Sequence, residues 1–366
     1  MDKSDIFSPS HVTCPEEMIR HSTLVCALII FTASLSSGNF VHGPARGTLI
    51  GIVTDAATGT PLGNTNVYLS STTIGTNTGP DGTFTISGIP PGVFLVVASR
   101  VGHTVQSHTV HVSQSDTLRT DFALEPVALQ GEEVEVVAHP DREWRRLLGK
   151  FTASFLGRGR NAEDCSILNP EVLDFRMDRG TGMLIASTDS VLRIENRSLG
   201  YRLYARLGLF QWDVDEDRGR FVLYPRFEAL QSEDSARSTQ WRSNRENSYR
   251  GSLKHFLAAL VAGTFVHEGF SVNAGTITDL TGGASNPLTP GDFTLEPVRG
   301  GQLWMLAFGR WLRVEYRNEG VRLRSFITLS STPAVLDGDG NLADPLCVEV
   351  TGDWTRYRVA DMLPID

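Results

Sequence analysis

Apolar and polar residues alternate along most of the chain from Thr48 to Leu124. Short runs with this period of two are separated by clusters of Gly, Pro and Asp, a pattern typical of strands joined by turns. No helical period interrupts them, so the segment is predicted to form an antiparallel Greek-key-type β-sandwich. The residues predicted to point inward are Val67, Leu69, Phe84, Ile86, Val110 and Val112.

The stretch from Thr76 to Ser99, "TNTGPDGTFTISGIPPGVFLVVAS", is the densest part of this pattern. Asp81-Gly82 has turn chemistry, and Pro90-Pro91-Gly92 supplies a second break before an apolar run. We therefore predict that the stretch forms the central hairpin of the sandwich.

These residues, with "TGTPLGNTNVYL" (Thr58 to Leu69) before them, resemble the carboxypeptidase regulatory-like family, a prealbumin or transthyretin-like β-sandwich. The resemblance implies an accessory domain of an exported protein, which binds carbohydrate or protein or acts as a spacer, and which is not itself a peptidase. Leu129 to His139 resemble the strand that follows such sandwiches in outer-membrane receptors. No long ladder of alternating strands with aromatic girdles follows, so we expect no receptor barrel.

Beyond residue 140 the pattern changes to helices mixed with strands. Trp144, Leu147, Phe151 and Phe155 recur at helical spacing after a predicted cap at Asp141, and a longer helix is predicted from Trp241 to Phe265. The fold is thus mainly β with an α+β second domain. Predicted boundaries are 1–45 for a leader, 46–128 for the sandwich, 129–143 for a connecting strand and 144–366 for the second domain.

Four segments of the second domain resemble an uncharacterised domain that follows the same sandwich in exported proteins of Gram-negative bacteria. That family implies a location and an architecture, and it has no activity to transfer. The segments are Phe155 to Phe175, Ile194 to Tyr204, Asn244 to Gly263 and the terminal "GDWTRYRVADMLPID".

The chain from Met18 reads as a secretory signal peptide, with a basic start, an apolar core from Leu24 to Phe31 and small residues after it. The acidic segment before it is unusual for a signal peptide, so Met18 is a candidate start. One alternative is a membrane anchor, but the apolar core is shorter than the about 20 residues that an anchor needs. A buried core helix is the other alternative. We expect export to the periplasm or outer membrane, cleavage between Ser37 and Ala45, and no transmembrane span in the mature chain.

The formal net charge of −9 disfavours nucleic-acid binding, which depends on a basic surface. Export would leave two cysteines, Cys165 and Cys347, in an oxidising compartment, where a disulfide is favoured and two buried free thiols are the alternative.

Metal sites are tested by ligand spacing. His267-Glu268 lacks a second His one turn later, where Ser271 stands, so no metalloprotease motif is present. The acidic turns Asp213-Asp217 and Asp337-Asn341 offer alternating oxygen ligands, but neither has the Gly and Glu positions of an EF-hand loop. Each is predicted to be a hairpin turn, with weak calcium binding as the alternative. No metal and no cofactor are predicted.

The sequence also lacks motifs for a catalytic nucleophile or a nucleotide phosphate. There is no G-x-S-x-G nucleophile elbow, and the glycines after Phe155 do not have the spacing of a dinucleotide-binding loop. Arginines on the predicted helices would meet an anionic glycan or lipid head group, or form a solvated face. Aromatic platforms for sugars remain as candidates, because indole offers an apolar face and a polar edge. Those candidates are Trp212, Trp241, Trp304, Trp311 and Trp354.

The sequence therefore predicts an exported, non-enzymatic binding or structural protein of the cell envelope, whose partner is an envelope protein or a glycan. One alternative is a carbohydrate-binding accessory protein of a polysaccharide or nutrient uptake system. The other is an enzyme with its site in the C-terminal domain.

Overall fold

Three hydrophobic cores make up the described part of the chain. A computed structural model describes residues 46–127, 142–275, 286–287, 293–298, 302–309, 311–318 and 320–366. These lie within one compact unit, Gly43–Asp366. The predicted leader, the strand predicted at Leu129 to His139 and the predicted cap Asp141 lie outside the described residues.

The first core is the predicted β-sandwich. One sheet has the order β4-β1-β7, with β8 also paired to β1, and the other has the order β3-β2-β5-β6. β7 and β8 run parallel to β1, whereas the other pairs are antiparallel. The strands are β1 (Gly47–Asp55), β2 (Asn66–Leu69), β3 (Gly75–Asn77), β4 (Thr83–Ile89), β5 (Gly92–Ser99), β6 (Gln106–Val112), β7 (Thr117–Arg119) and β8 (Phe122–Leu124).

The stretch from Thr76 to Ser99 does not form the predicted hairpin. Its strands are where the pattern predicts them, but β3 and β5 lie in one sheet and β4 lies in the other. The chain therefore crosses between sheets at both turns. Asp81 Oδ1 accepts hydrogen bonds from the backbone N–H and the hydroxyl of Thr83, at 3.1 and 2.7 Å. Gly82 adopts a φ of 75°, and a Cβ there would lie 2.6 Å from the carbonyl of Val53.

The second core lies between helix α1 and a six-stranded antiparallel sheet of order β10-β11-β13-β12-β9, with β14 paired to β13. The predicted apolar face of α1 is confirmed: Phe151 and Phe155 are fully buried and pack against Phe210. The elements are α1 (Arg142–Leu156), α2 (Arg160–Glu163), β9 (Cys165–Ile167), β10 (Asp174–Met177), β11 (Leu184–Ser187), β12 (Leu192–Asn196), β13 (Tyr201–Asp213) and β14 (Arg218–Ala229).

The long helix predicted from Trp241 to Phe265 is wrong, because two helices occupy this region. They are α3 (Ser235–Tyr249) and α4 (Leu253–Ala262). Gly251 has a φ of 74°, and Ser252 begins α4 by accepting the N–H of His255 on its hydroxyl at 3.1 Å. A left-handed glycine followed by a serine cap ends one helix and starts the next.

The third core packs α4 against two sheets, of order β16-β15-β19-β20-β22 and β17-β18-β21. Its strands are β15 (Phe270–Gly275), β16 (Asn286–Pro287), β17 (Phe293–Pro297), β18 (Leu303–Phe308), β19 (Trp311–Asn318), β20 (Val321–Leu329), β21 (Ala334–Asp337) and β22 (Val348–Gly352). Within the ranges given above, no helix is long and apolar enough to cross a membrane.

The sandwich is hydrogen-bonded to the second core through β2 and the turn after it. Tyr68 donates its hydroxyl to the Tyr224 carbonyl at 2.9 Å, and the Ser71 N–H donates to Pro225 at 2.7 Å. The C-terminal tail meets the same turn, because the Ile365 N–H donates to the Ser71 carbonyl at 2.9 Å.

The sandwich is joined to the third core by the carboxylate of Asp337, a residue only 2% exposed. Asp337 Oδ2 accepts the N–H of Val93 and the Nδ2 amide of Asn341, both at 3.1 Å. Its Oδ1 accepts the N–H groups of Asp339 and Asn341, at 3.0 and 2.9 Å. β2 pairs with β5 only as far as Val96, so the carboxylate supplies a partner for an amide that the sheet leaves unpaired.

We predict that Asp337→Ala lowers the free energy of unfolding by about 3 kcal/mol, because four donors lose their acceptor and some stay buried. Urea unfolding followed by circular dichroism measures this loss. Asp339→Ala is the matched control, since that side chain is exposed in the same loop, and it costs about 0.5 kcal/mol or less. Equal effects of the two substitutions would show that the buried carboxylate contributes nothing particular.

Candidate functional site

The candidate site is a cavity of about 520 Å³ at the junction of the three cores, called here the junction pocket. Leu95 of β5 supplies one wall, Tyr224 of β14 a second, and Leu257 of α4 a third. A mostly apolar cavity between separately packed units, with a few polar groups, is the usual form of a small-molecule site.

The continuous apolar run of β5 explains why a wall of this pocket belongs to the sandwich. Phe94 and Val96 face the sandwich core, whereas Val93 and Leu95 face the pocket. A strand covered on both faces reads as an unbroken apolar run instead of an alternating one. The sequence "VFLVVAS" therefore carried a signal of coverage by a second layer.

Hydroxyl groups from the sandwich and an amine from α4 are among the polar groups of the junction pocket, together with Asn341 and Asp344. Ser70, Ser71, Ser107 and Thr109 line the sandwich side. Lys254 lies opposite and donates from Nζ to Asn341 Oδ1 at 2.9 Å. Burial lowers the pKa of Lys254, and the negative charges of Asp337, Asp339 and Asp366 oppose that shift.

Close packing of the Asp337 to Asn341 loop on α4 fixes the position of Lys254. Gly340 has a φ of 75°, and a Cβ there would lie 2.3 Å from the backbone nitrogen of Ala258. Only glycine allows this approach. The sequence analysis did not identify Lys254. The feature that could have indicated it is a charged residue within the largely apolar sequence of α4.

The two acidic turns are hairpin turns, in agreement with their sequence prediction. Asp213 Oδ1 accepts the N–H groups of Asp215 and Glu216, at 3.1 and 3.0 Å. The Asp337 turn uses both carboxylate oxygens on protein donors, as described above. Among the residues that the structure describes, no cluster of three His, Cys, Asp or Glu side chains could hold a metal ion.

Glu268 forms a hydrogen-bonded pair with a buried histidine. Its Oε2 lies 2.6 Å from Nε2 of buried His255, and its Oε1 accepts the hydroxyl of Thr264. These two hydrogen bonds lower the pKa of Glu268. Nδ1 of His255 accepts the Gly251 N–H at 2.9 Å, so Nε2 carries the proton and donates it to Glu268. Through these hydrogen bonds, His255 connects Gly251, in the turn between α3 and α4, to Glu268 in the segment after α4.

Three of the five candidate tryptophans are buried and cannot serve as exposed platforms. Arg358 covers Trp212, with its guanidinium carbon 4.3 Å from the ring centroid. Trp241 donates from Nε1 to the Arg197 carbonyl, and Trp354 donates to that of Gly251, both at 2.7 Å. The remaining two, Trp304 and Trp311, are half-buried.

The predicted disulfide is not formed, and the structure has the alternative of two buried free thiols. Cys165 begins β9 in the second core, whereas Cys347 lies in a short 3₁₀ turn, Pro345–Cys347, in the third core. Burial raises the pKa of Cys165 to about 12 and that of Cys347 to about 11. Both thiols are therefore protonated and unreactive at neutral pH.

Residues 49–136 match the CarboxypepD_reg-like domain family. The match confirms the resemblance predicted for the first module, and the observed sandwich is the fold expected of that family. No curated protein matches the chain.

Similarity to solved structures is remote. Catechol 1,2-dioxygenase from Acinetobacter sp. ADP1 inhibited by bound mercury is 13% identical with a TM-score of 0.20, over 28% of this chain and 59% of its own. A provisionally named carbohydrate-binding protein of Bacteroides uniformis is 8% identical with a TM-score of 0.20, over 81% and 100%. A provisionally named membrane-associated protein of unknown function from Bacteroides fragilis is 9% identical with a TM-score of 0.19, over 77% and 94%. None of these similarities carries a functional argument.

We predict that iodoacetamide leaves Cys165 and Cys347 unmodified in the native protein at pH 8, because the reagent attacks thiolates. After unfolding in urea without a reductant, both peptides are alkylated, as mass spectrometry of the digest will show. A reduced and unfolded sample is the control. Alkylation that appears only after reduction would establish a disulfide and contradict the structure.

Proposed function

We propose that the protein is an exported, non-enzymatic binding or structural component of the cell envelope, in the periplasm or at the outer membrane. In it, the second and third cores together form the uncharacterised domain that exported Gram-negative proteins have after the same sandwich. The observation that carries it is the junction pocket, whose walls come from all three cores. The sandwich thereby contributes to a site as well as to the architecture.

The geometry of the pocket supports binding of a small ligand. Its volume of about 520 Å³ lies within the usual range for such sites. The hydrogen bonds of Asp337 and Tyr68 hold its walls in place before any ligand arrives. A preformed site loses little conformational entropy on binding.

The environment of Lys254 supports ligand binding. Lys254 donates from Nζ to Asn341, which holds the amine in the pocket wall, and an ammonium has further N–H donors for a ligand. The amine is suited to orienting a ligand oxygen, together with the hydroxyls of Ser107 and Thr109.

Carbohydrate is the second candidate ligand class, in the role of an accessory protein of polysaccharide or nutrient uptake. One observation favours it: the pocket lining combines the hydroxyl residues Ser107 and Thr109 of β6 with the aromatic residue Tyr224 of β14. Sugars combine apolar ring faces with hydroxyl edges, and this wall offers a partner to each. The predicted partners are accordingly a glycan or an envelope protein, and not nucleic acid.

Export is tested by expressing the full chain in a Gram-negative host and fractionating the cells. We expect the protein in the envelope or periplasmic fraction, with a new N-terminus between residues 37 and 45 identified by mass spectrometry. Leu28→Arg with Ile29→Arg breaks the apolar core of the leader and retains the protein in the cytoplasm. An uncleaved chain in the cytoplasm of wild-type cells would contradict export.

Binding in the junction pocket is tested with Ser107→Trp, which places a large ring at the pocket wall. The mature chain is applied to an array of bacterial envelope glycans, and positive glycans are titrated by calorimetry. We expect at least tenfold weaker binding for Ser107→Trp, about 1.4 kcal/mol, because the ring occupies ligand space.

The matched control is Thr85→Trp, an exposed position on β4 outside the pocket, which leaves binding unchanged. Thermal unfolding of both variants verifies the fold. An array without signal at millimolar glycan would overturn the carbohydrate role, and equal binding by both variants would place the ligand elsewhere.

A further inference from the structure

A second cavity, of about 630 Å³, lies on the face of the β19–β20 sheet that points away from the third core; it is called here the arginine cleft. Four arginines and two carboxylates form its charged lining, a surplus of two positive charges in a protein whose formal net charge is −9. A cationic cleft concentrates anions locally even when the whole surface is acidic. The charged lining residues are Glu315, Arg317, Arg322, Arg324, Asp353 and Arg356.

Strand register places two of these arginines directly opposite each other. Arg317 of β19 pairs with Arg322 of β20, next to the pair formed by Glu315 and Arg324. Like charges at directly opposite positions destabilise a sheet. Arg322 is exposed and forms no ion pair with any residue in the described ranges. An anion between the two guanidinium groups would remove the repulsion that the register creates.

Glu315 is a positioning residue for this arrangement. It is 7% exposed, and its Oε2 lies 2.7 Å from Nη2 of Arg317. Its Oε1 lies 3.2 Å from Nε of Arg324 and 3.3 Å from Nη2 of Arg313. Each guanidinium has five N–H donors, so the shared carboxylate orients the groups and leaves most donors available. The side chain of Arg317 remains 63% exposed and within reach of a ligand.

The rest of the cleft gives it a floor and a rim. Phe326 is 1% exposed and forms part of the floor. At the rim, Arg356 Nη2 lies 3.3 Å from Asp353 Oδ1, and its side chain is 79% exposed. The volume is in the range of small-molecule sites, and it is larger than one inorganic anion requires.

We propose that the arginine cleft binds an oxyanion group, a carboxylate, sulfate or phosphate, carried by a small molecule or a sugar residue. Arg317 and Arg322 are its principal donors, because the planar fork of arginine matches the paired oxygens of these groups. The site goes beyond the function proposed above and uses none of the junction-pocket residues. Either site can therefore fail without affecting the other.

The test is calorimetric titration at low ionic strength with sodium sulfate, sodium phosphate, glucuronate, glucose 6-sulfate and neutral glucose. We expect binding of at least one anionic probe and none of glucose. Arg317→Gln and Arg322→Gln each weaken it at least tenfold. Arg197→Gln is the matched control, because Arg197 is an exposed, carboxylate-paired arginine in the turn after β12, outside the cleft, and its loss leaves binding unchanged.

Thermal unfolding separates loss of binding from loss of folding. Arg322→Gln leaves the melting temperature unchanged or raises it, because it removes one member of the like-charged pair. Arg317→Gln lowers it, because the buried carboxylate of Glu315 also loses a partner. Tighter binding of the sugar acids than of the free ions assigns the cleft to anionic sugars, and equal affinity assigns it to the oxyanion alone. Dissociation constants above roughly 10 mM for every probe, or equal binding by all variants, would overturn the proposal.

Discussion

The buried carboxylate of Asp337 is the interaction on which the junction depends. This carboxylate accepts hydrogen bonds from the Val93 amide of the sandwich and from the Asn341 amide in a loop of the third core. A buried carboxylate persists only when hydrogen bonds replace its water, so each of these contacts requires the others. Asp337 thereby holds β5 against the loop that packs on α4, while the hydrogen bonds of Tyr68 and Ile365 hold the other walls of the junction pocket.

The local pattern of apolar and polar residues was sufficient to predict strands and helices, but not which strands pair with each other. The alternation in β4 predicts that Phe84 and Ile86 point inward, and both are buried. The same stretch gives no sign that β4 and its neighbours lie in opposite sheets, because sheet membership depends on pairing with β1 and β2, which are distant in sequence. The break at Gly251 was missed because the apolar periodicity continues across it, while a left-handed glycine interrupts the backbone.

The candidate sites were less predictable than the fold, because each is assembled from segments that are far apart. Lys254 is recognisable as a site residue only once Asn341 is seen to contact it. Arg322 is recognisable only once the strand register places it opposite Arg317. The tryptophans show the converse case, since indole side chains occur both in cores and in binding sites. Trp212, Trp241 and Trp354 proved to be core residues. The two-sided burial of β5 was readable in advance from its unbroken apolar run.

Native-state hydrogen exchange across β5 and β21 is the measurement that tests most directly whether the sandwich and the third core form one cooperative unit. The account predicts that the Val93 amide is protected and that peptides from both strands open with the same free energy as denaturant is added. The contradictory result is exchange of Val93 and the rest of β5 at low denaturant while β21 stays protected. In that case the sandwich would move independently, and the junction pocket would not be a preformed site.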